Sequence, residues 1–322
     1  MFDQIAASLL SPPILFFALG ALAALARSDL AVPETVAKGL SLYLMAAIGL
    51  KGGVEVSRIG IGGDLGIALL AGFVLSCAIP FAVAPVLRRF GRLDRINAGA
   101  IAAHYGSVSV VTFVTANQIY AGSGFAAAGF MVAVLAIMET PAILSGLLIA
   151  RRGTGGKLFE PRLLHEVAFN GSVVLLLGSF AIGMLIGEQG YQPISPLFTA
   201  GFTGVLCLFL LDMGLIAVRR LMQTRALNLQ LAVLGVIFPL ANGAIGVAAG
   251  TLIGLDAASA AVLGVLAGSA SYIAVPAAMR MSLPQADAGL YLAMSLGVTF
   301  PFNIIVGIPL FRWLAENLGG LT

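Results

Sequence analysis

From residue 9 onward the chain is a succession of apolar stretches of about 20 residues, separated by short segments that hold most of its charges. A stretch of that length crosses about 30 Å of hydrocarbon as a helix. In lipid every backbone N–H and C=O needs a partner within the protein, which restricts lipid-exposed chain to helices and closed barrels. Cutting at charged and turn-rich segments gives ten expected spans: 9–26, 33–50, 64–87, 96–118, 125–150, 169–187, 195–217, 227–250, 257–279 and 287–313. A mean hydropathy of +1.05, with 60% hydrophobic and 10% charged residues, leaves too little polar surface for a soluble domain. The fold class expected is therefore an all-α membrane protein. The Met-Phe-Asp-Gln start has no basic segment of the secretory kind, so the first stretch is expected to be a retained span. Cys77 and Cys207 both fall in apolar stretches, as packing residues do, and imply neither a disulfide framework nor a metal cluster.

Charge fixes the expected orientation. With the N-terminus outside, the cytoplasmic loops collect Arg27, Lys38, Arg88, Arg89, Arg92, Arg95, Arg151, Arg152, Lys157, Arg162, Arg219, Arg220, Arg225 and Arg280, which is 14 of 17 basic residues. Lys51, Arg58 and Arg312 fall outside. The positive-inside rule then places both termini extracytoplasmic, which requires an even number of spans. The net charge of +3 is accounted for by these loops, so nucleic acid is not expected as a partner.

The polar segment Arg151–Glu166 divides the chain nearly in half. This gives residues 1–150 as a first five-helix repeat, 151–168 as a cytoplasmic connector and 169–322 as a second five-helix repeat. An odd number of spans per half inverts the second copy, an arrangement common in secondary transporters. Traces of duplication support it. Gly106-Ser107-Val108-Ser109 returns 162 positions later as Gly268-Ser269-Ala270-Ser271, Leu40–Leu44 matches Leu206–Leu210, and Asp94 precedes its motif by the same distance as Asp256. Pro80 corresponds to Pro239, and Pro141 to Pro301.

Each serine motif lies 13 residues from its aspartate, about 20 Å along a helix and so near the bilayer midplane. A Gly-Ser break ends one half-helix and lets a serine cap the next, so that N–H groups and the positive dipole end face the gap. Two oppositely directed breaks would hold a small anion without arginine. The expected substrate-binding residues are Gly106, Ser107, Val108, Ser109, Gly268, Ser269, Ala270 and Ser271. Tight packing of small residues at helix crossings is the structural alternative.

Ionisable groups inside apolar spans are costly and therefore point to function. Glu139, 12 residues before Arg151 and directly ahead of Thr140-Pro141, is a candidate sodium ligand, and Asn303, after Thr299-Phe300-Pro301-Phe302, offers an amide oxygen. Ser109 and Ser271 complete the expected sodium set. His104, Thr112, Asn242 and Asp212 are supporting candidates, with Thr115 weaker; His104 could be a satisfied core residue, and Asp212, seven residues from Arg219, a cap or a snorkelling partner.

His104–Ser109, Met138–Ala142, Leu208–Gly214, Ser269–Pro276 and Thr299–Asn303 together resemble the SbtA sodium-dependent bicarbonate permeases over essentially the whole chain. The resemblance implies two inverted five-helix repeats with discontinuous helices 4 and 9. Spans 1, 2, 6 and 7 would form a gate, and spans 3–5 and 8–10 a core that moves against it. It also implies substrate held at the breaks and a homotrimer. Cyanobacterial members are inhibited by a small PII-like protein on the cytoplasmic face, but the connector is shorter here, which bears on that partner. The function expected is sodium-coupled bicarbonate symport across a bacterial inner (plasma) membrane by an elevator-like alternating-access mechanism, with sodium as coupling ion and no other cofactor. A symporter of another small monovalent anion and a sodium/proton antiporter stay open. A channel needs a more continuous polar lining, and no motif suggests an enzyme.

Overall fold

A computed structural model describes residues 10–60, 63–152, 171–224 and 227–318. Among them there is no strand. The helices are α1 (Pro12–Leu25), α2 (Glu34–Ile59), α3 (Gly63–Arg89), α4 (Arg95–Gly106), α5 (Val110–Gly122), α6 (Met131–Glu139), α7 (Pro141–Arg151), α8 (Gly171–Tyr191), α9 (Phe202–Gln223), α10 (Leu229–Leu252), α11 (Ala257–Gly268), α12 (Ala274–Ser282) and α13 (Ala288–Leu318). Beyond Arg152 the expected connector lies outside the described residues, as do Lys157, Arg162 and Arg225.

Eight helical stretches are long and apolar enough to cross a membrane: α2, α3, α4 with α5, α6 with α7, α8, α9, α10 and α13. The other two expected spans contain the shorter apolar helices α1, of 14 residues, and α11, of 12. One boundary differs clearly from expectation. α2 does not stop before Lys51 but continues to Ile59, carrying Lys51 and Glu55 within it. Both side chains face a cavity walled by protein, so lipid does not force the helix to end there.

Backbone contact between helices is closest at four glycines. A Cβ on Gly20 of α1 would collide with the Leu211 carbonyl of α9, and one on Gly214 with the Phe17 carbonyl. The same reciprocal arrangement joins α2 to α8, where a Cβ on Gly53 would collide with the Phe180 carbonyl and one on Gly183 with that of Leu50. Helices meet this closely in membranes only where side chains are absent, because packing and not water exclusion holds them together. Positions 20 and 183 are 163 apart and positions 53 and 214 are 161 apart, each within one residue of the 162 between the serine motifs. Leucine at Gly53 has no room on either backbone and costs more than the roughly 1–3 kcal/mol of ordinary overpacking. Gly53→Leu is expected to lose monodisperse protein in size-exclusion chromatography, whereas Gly66→Ala, which meets nothing within 4 Å, should elute like the parent.

The other helices form two similar clusters. α3 packs on α4 and α7, while α10 packs on α11 and α13. Capping is matched as well: Asp94 accepts the Asn97 N–H at 2.9 Å to start α4, and Asp256 accepts the Ser259 N–H at 2.9 Å to start α11. Both helices run 12 residues and end on the glycines of the serine motifs. The apolar window of α4–α5 is entirely buried, so its break is surrounded by protein. Leu15, Leu19 and Leu22 on α1 and Leu70, Phe73 and Val74 on α3 turn outward, as lipid-facing side chains do.

Candidate functional site

Both serine motifs interrupt their helices. Ser107 ends α4 with φ −86° and ψ 177°, and Ser269 ends α11 with φ −86° and ψ 171°, nearly the same extended conformation. The preceding glycines are required by close packing against helix prolines. A Cβ on Gly106 would lie 2.5 Å from Pro80 Cγ, and one on Gly268 would lie 2.8 Å from the Pro239 carbonyl oxygen. Beyond the break Ser109 caps α5, accepting the Thr112 N–H at 3.2 Å and the Thr112 hydroxyl at 2.9 Å. The second break is longer: α12 begins only at Ala274, and Ser271 Oγ accepts the Val275 N–H at 3.4 Å. Pro276 explains the delay, because its ring excludes the Tyr272 carbonyl from the helical ladder.

The two breaks touch. The Ser109 N–H donates to Ser269 Oγ at 2.9 Å, and the Ser271 N–H donates to the His104 carbonyl at 2.8 Å. Ser269 Oγ in turn donates to the Leu266 carbonyl at 2.9 Å. The sequence predicts open N–H groups facing the gap. Two of them are instead bound by the opposite break, because each break leaves carbonyl and hydroxyl acceptors in reach of the other. The N–H groups of Val110 and Val111 remain as first-turn donors at the head of α5.

Glu139 ends α6 at a third interruption. Pro141 lacks the N–H that would bond the Ile137 carbonyl, and serines take the carbonyls of the next two residues. Ser76 Oγ donates to the Met138 carbonyl at 2.7 Å and accepts the Ala142 N–H at 3.2 Å; Ser107 Oγ donates to the Glu139 carbonyl at 3.0 Å. The Glu139 side chain is 3% exposed, and its Oε2 has no hydrogen-bond partner. It faces a cavity of about 10 Å³, roughly the least that admits one water, lined also by Met45, Ser109, Ser271 and Tyr272. The Tyr272 hydroxyl lies beside Ser109 without a well-formed hydrogen bond to it.

Of the expected sodium ligands, the fold thus gathers Ser109, Glu139 and Ser271 around one cavity, with Val108 also in its wall. Asn303 is not among the lining residues. Its Nδ2 donates to the Gly268 carbonyl at 2.8 Å and closes the end of α11, while its Oδ1 is buried without a partner. Gly106, Ser107, Gly268, Ser269 and Ala270 build the breaks without lining the cavity. His104 contributes its backbone carbonyl; its Nδ1 pairs with the Ala100 carbonyl at 2.7 Å and its ring stacks on Tyr291 with centroids 4.4 Å apart. Thr112 supports Ser109, and Thr115 bonds only its own helix, at the Val111 carbonyl. Asn242 precedes Gly243, which touches Gly268, and its Nδ2 has no partner. Asp212 is 4% exposed within α9, and its Oδ2 has no hydrogen-bond partner.

Sequence reasoning missed Ser76, Tyr105 and Met45. Tyr105 donates to Thr299 Oγ1 at 2.7 Å, and Thr299 donates to the Gly235 carbonyl at 2.6 Å, a buried chain tying α4, α13 and α10 together. A hydroxyl one turn before a helix proline, as Ser76 is before Pro80, is the available signal for one of them. Among the described residues no cluster of histidine, cysteine and carboxylate side chains suits a transition metal.

Residues 12–316 match the sequence profile of the Na+-dependent bicarbonate transporter superfamily. No curated protein matches the chain.

Proposed function

The chain belongs to the Na+-dependent bicarbonate transporter superfamily, and on that premise we propose that it is a sodium–bicarbonate symporter whose two broken helices jointly hold the anion and its coupling ion. The observation that carries this reading is the contact of the breaks, Ser109 to Ser269 and Ser271 to His104, beside the unpartnered carboxylate oxygen of Glu139. A buried carboxylate next to a bound anion is unfavourable unless a cation lies between them. Sodium at Glu139, Ser109 and Ser271 supplies that charge, while bicarbonate takes the remaining N–H donors of α5. Each ion then raises the affinity for the other by the same factor. With no arginine in the cavity wall, a monovalent oxyanion is favoured over a dianion, whose desolvation would go uncompensated.

The glycine-locked pairs α1–α9 and α2–α8 suit a gate, and the matched clusters around α4 and α11 suit a core of inverted repeats. Met45 of α2 is the one gate residue in the cavity wall. Bicarbonate is larger than the water-sized space there, so binding requires the Met45 face of α2 to withdraw from the breaks, an elevator-like displacement. A homotrimer with both termini outside in a bacterial inner membrane belongs to the same proposal, as does a PII-like regulator at the cytoplasmic face.

A tenfold sodium gradient supplies about 1.4 kcal/mol per ion. A second sodium per bicarbonate would add about 2.3 kcal/mol per 100 mV, because that cycle moves net charge. Proteoliposomes loaded with potassium are expected to accumulate labelled bicarbonate only when sodium is outside. Equal uptake with external potassium would exclude sodium coupling, and sodium-driven change of internal pH without bicarbonate would favour an antiporter.

A further inference from the structure

A second cavity, larger than the one at the breaks, lies elsewhere in the fold. It has a volume of about 180 Å³, ample for several waters, and lies between α2, α5, the start of α6 and the start of α9. Lys51 projects into it with its ammonium 4.6 Å from the centre of the Phe202 ring. Among the described residues no ion pair within 4 Å joins Lys51 to an acid. Glu55, one turn further along α2, lines the same cavity, with its carboxylate against the Gly129 backbone and within the field of Arg58. Across the cavity stand two amides of α5: Asn117 donates to the Phe113 carbonyl at 3.1 Å, and Gln118 donates to Thr203 Oγ1 of α9 at 3.0 Å. Each amide nitrogen keeps a second N–H.

Position makes this cavity relevant. Met45, Ile48 and Lys51 recur at three-residue intervals and share one face of α2. Met45 lines the small cavity at the breaks, while Ile48 and Lys51 line the large one. On α5 the small cavity takes Ser109 and Val110, and the large one Val114 and Asn117. Both cavities therefore lie along the same α2–α5 interface, with Lys51 about 9 Å from Met45 along the helix.

We propose that the large cavity is a receiving vestibule for the anion, with Lys51 as its counter-charge and specificity-determining residue and the α5 amides as hydrogen-bond donors. Resting on the symport reading above, it names the route by which the anion reaches the breaks and adds electrostatic selection for anions ahead of a break site whose wall has no lysine or arginine. A cation standing over an aromatic ring in a low-dielectric cleft attracts anions more strongly than one in water. Such steering acts on capture and leaves the chemistry of the breaks alone.

Lys51→Gln is expected to raise the bicarbonate KM about tenfold, leaving kcat, and the sodium KM at saturating bicarbonate, unchanged, with Lys51→Arg restoring the parent value. A bicarbonate KM unaffected by Lys51→Gln, or lowered kcat with unchanged KM, would overturn the proposal. A second measurement does not depend on transport. In the parent protein a membrane-impermeant amine-acylating reagent, read at Lys51 by peptide mass spectrometry, should label more slowly in sodium bicarbonate than in sodium gluconate of equal ionic strength. Labelling indifferent to bicarbonate, or a Lys51 the reagent cannot reach, contradicts a vestibule even if sodium-driven uptake is intact. Protection in a protein that fails to couple uptake to sodium would uphold the vestibule and remove the symport reading.

Discussion

Glu139→Gln is expected to lower sodium-driven bicarbonate uptake about 100-fold or more, because a charge-assisted contact of about 3 kcal/mol is lost from the coupling ion. The substitution keeps the shape of the side chain and leaves the backbone carbonyl that Ser107 uses, so α6 and α7 should stay joined as before. Thermal unfolding in detergent should therefore change little, and removal of the orphaned carboxylate could even stabilise the protein. Sodium should lose its protective effect against unfolding at the same time, since a ligand stabilises only what it binds. Undiminished uptake with the usual sodium dependence would show that Glu139 is a structural carboxyl and that the coupling ion sits elsewhere.

Ser269→Ala is the second large effect. The hydroxyl of Ser269 accepts the Ser109 N–H and donates to the Leu266 carbonyl, so alanine leaves a buried N–H unsatisfied at the meeting point of the breaks. That costs about 1–3 kcal/mol, equivalent to a five- to 150-fold loss if it falls on the transport-competent arrangement. Initial rates and the KM values for both ions should change together, because both ligands depend on the same contact. Ser123→Ala, also a helix-end serine but remote from the cavity, provides the control. Ser269→Ala uptake equal to that control would separate the breaks from the transport site.

Much of this arrangement could be read from residue chemistry alone. Gly106-Ser107 and Gly268-Ser269 announce interruptions because glycine permits close approach to Pro80 and Pro239, and a serine can cap the next half-helix. Asp94 and Asp256 are legible as helix starts for the same local reason. What could not be read depends on long-range contact. The bonds from Ser109 to Ser269 and from Ser271 to His104 cross between the two halves, and nothing in either motif says that its N–H groups will be taken by the other. The pairing of Gly20 with Gly214 and of Gly53 with Gly183 is invisible for the same reason, since an isolated glycine in an apolar helix carries no address. Lys51 reads as the end of a span until the cavity beside it is seen. Asn303 offers an amide oxygen by its chemistry, but that its nitrogen would close the end of α11 on the Gly268 carbonyl, leaving the oxygen without a partner, depends on the fold.

The most direct measurement is an experimental structure solved in sodium bicarbonate, compared with one solved in potassium gluconate. The expected result is a planar anion at the head of α5, a sodium ion among Glu139, Ser109 and Ser271, and Met45 drawn back from both, with neither ligand present in potassium gluconate. Bicarbonate bound elsewhere, with the two breaks still closed on each other and Glu139 without a cation, would contradict the central claim that the joined breaks are the transport site.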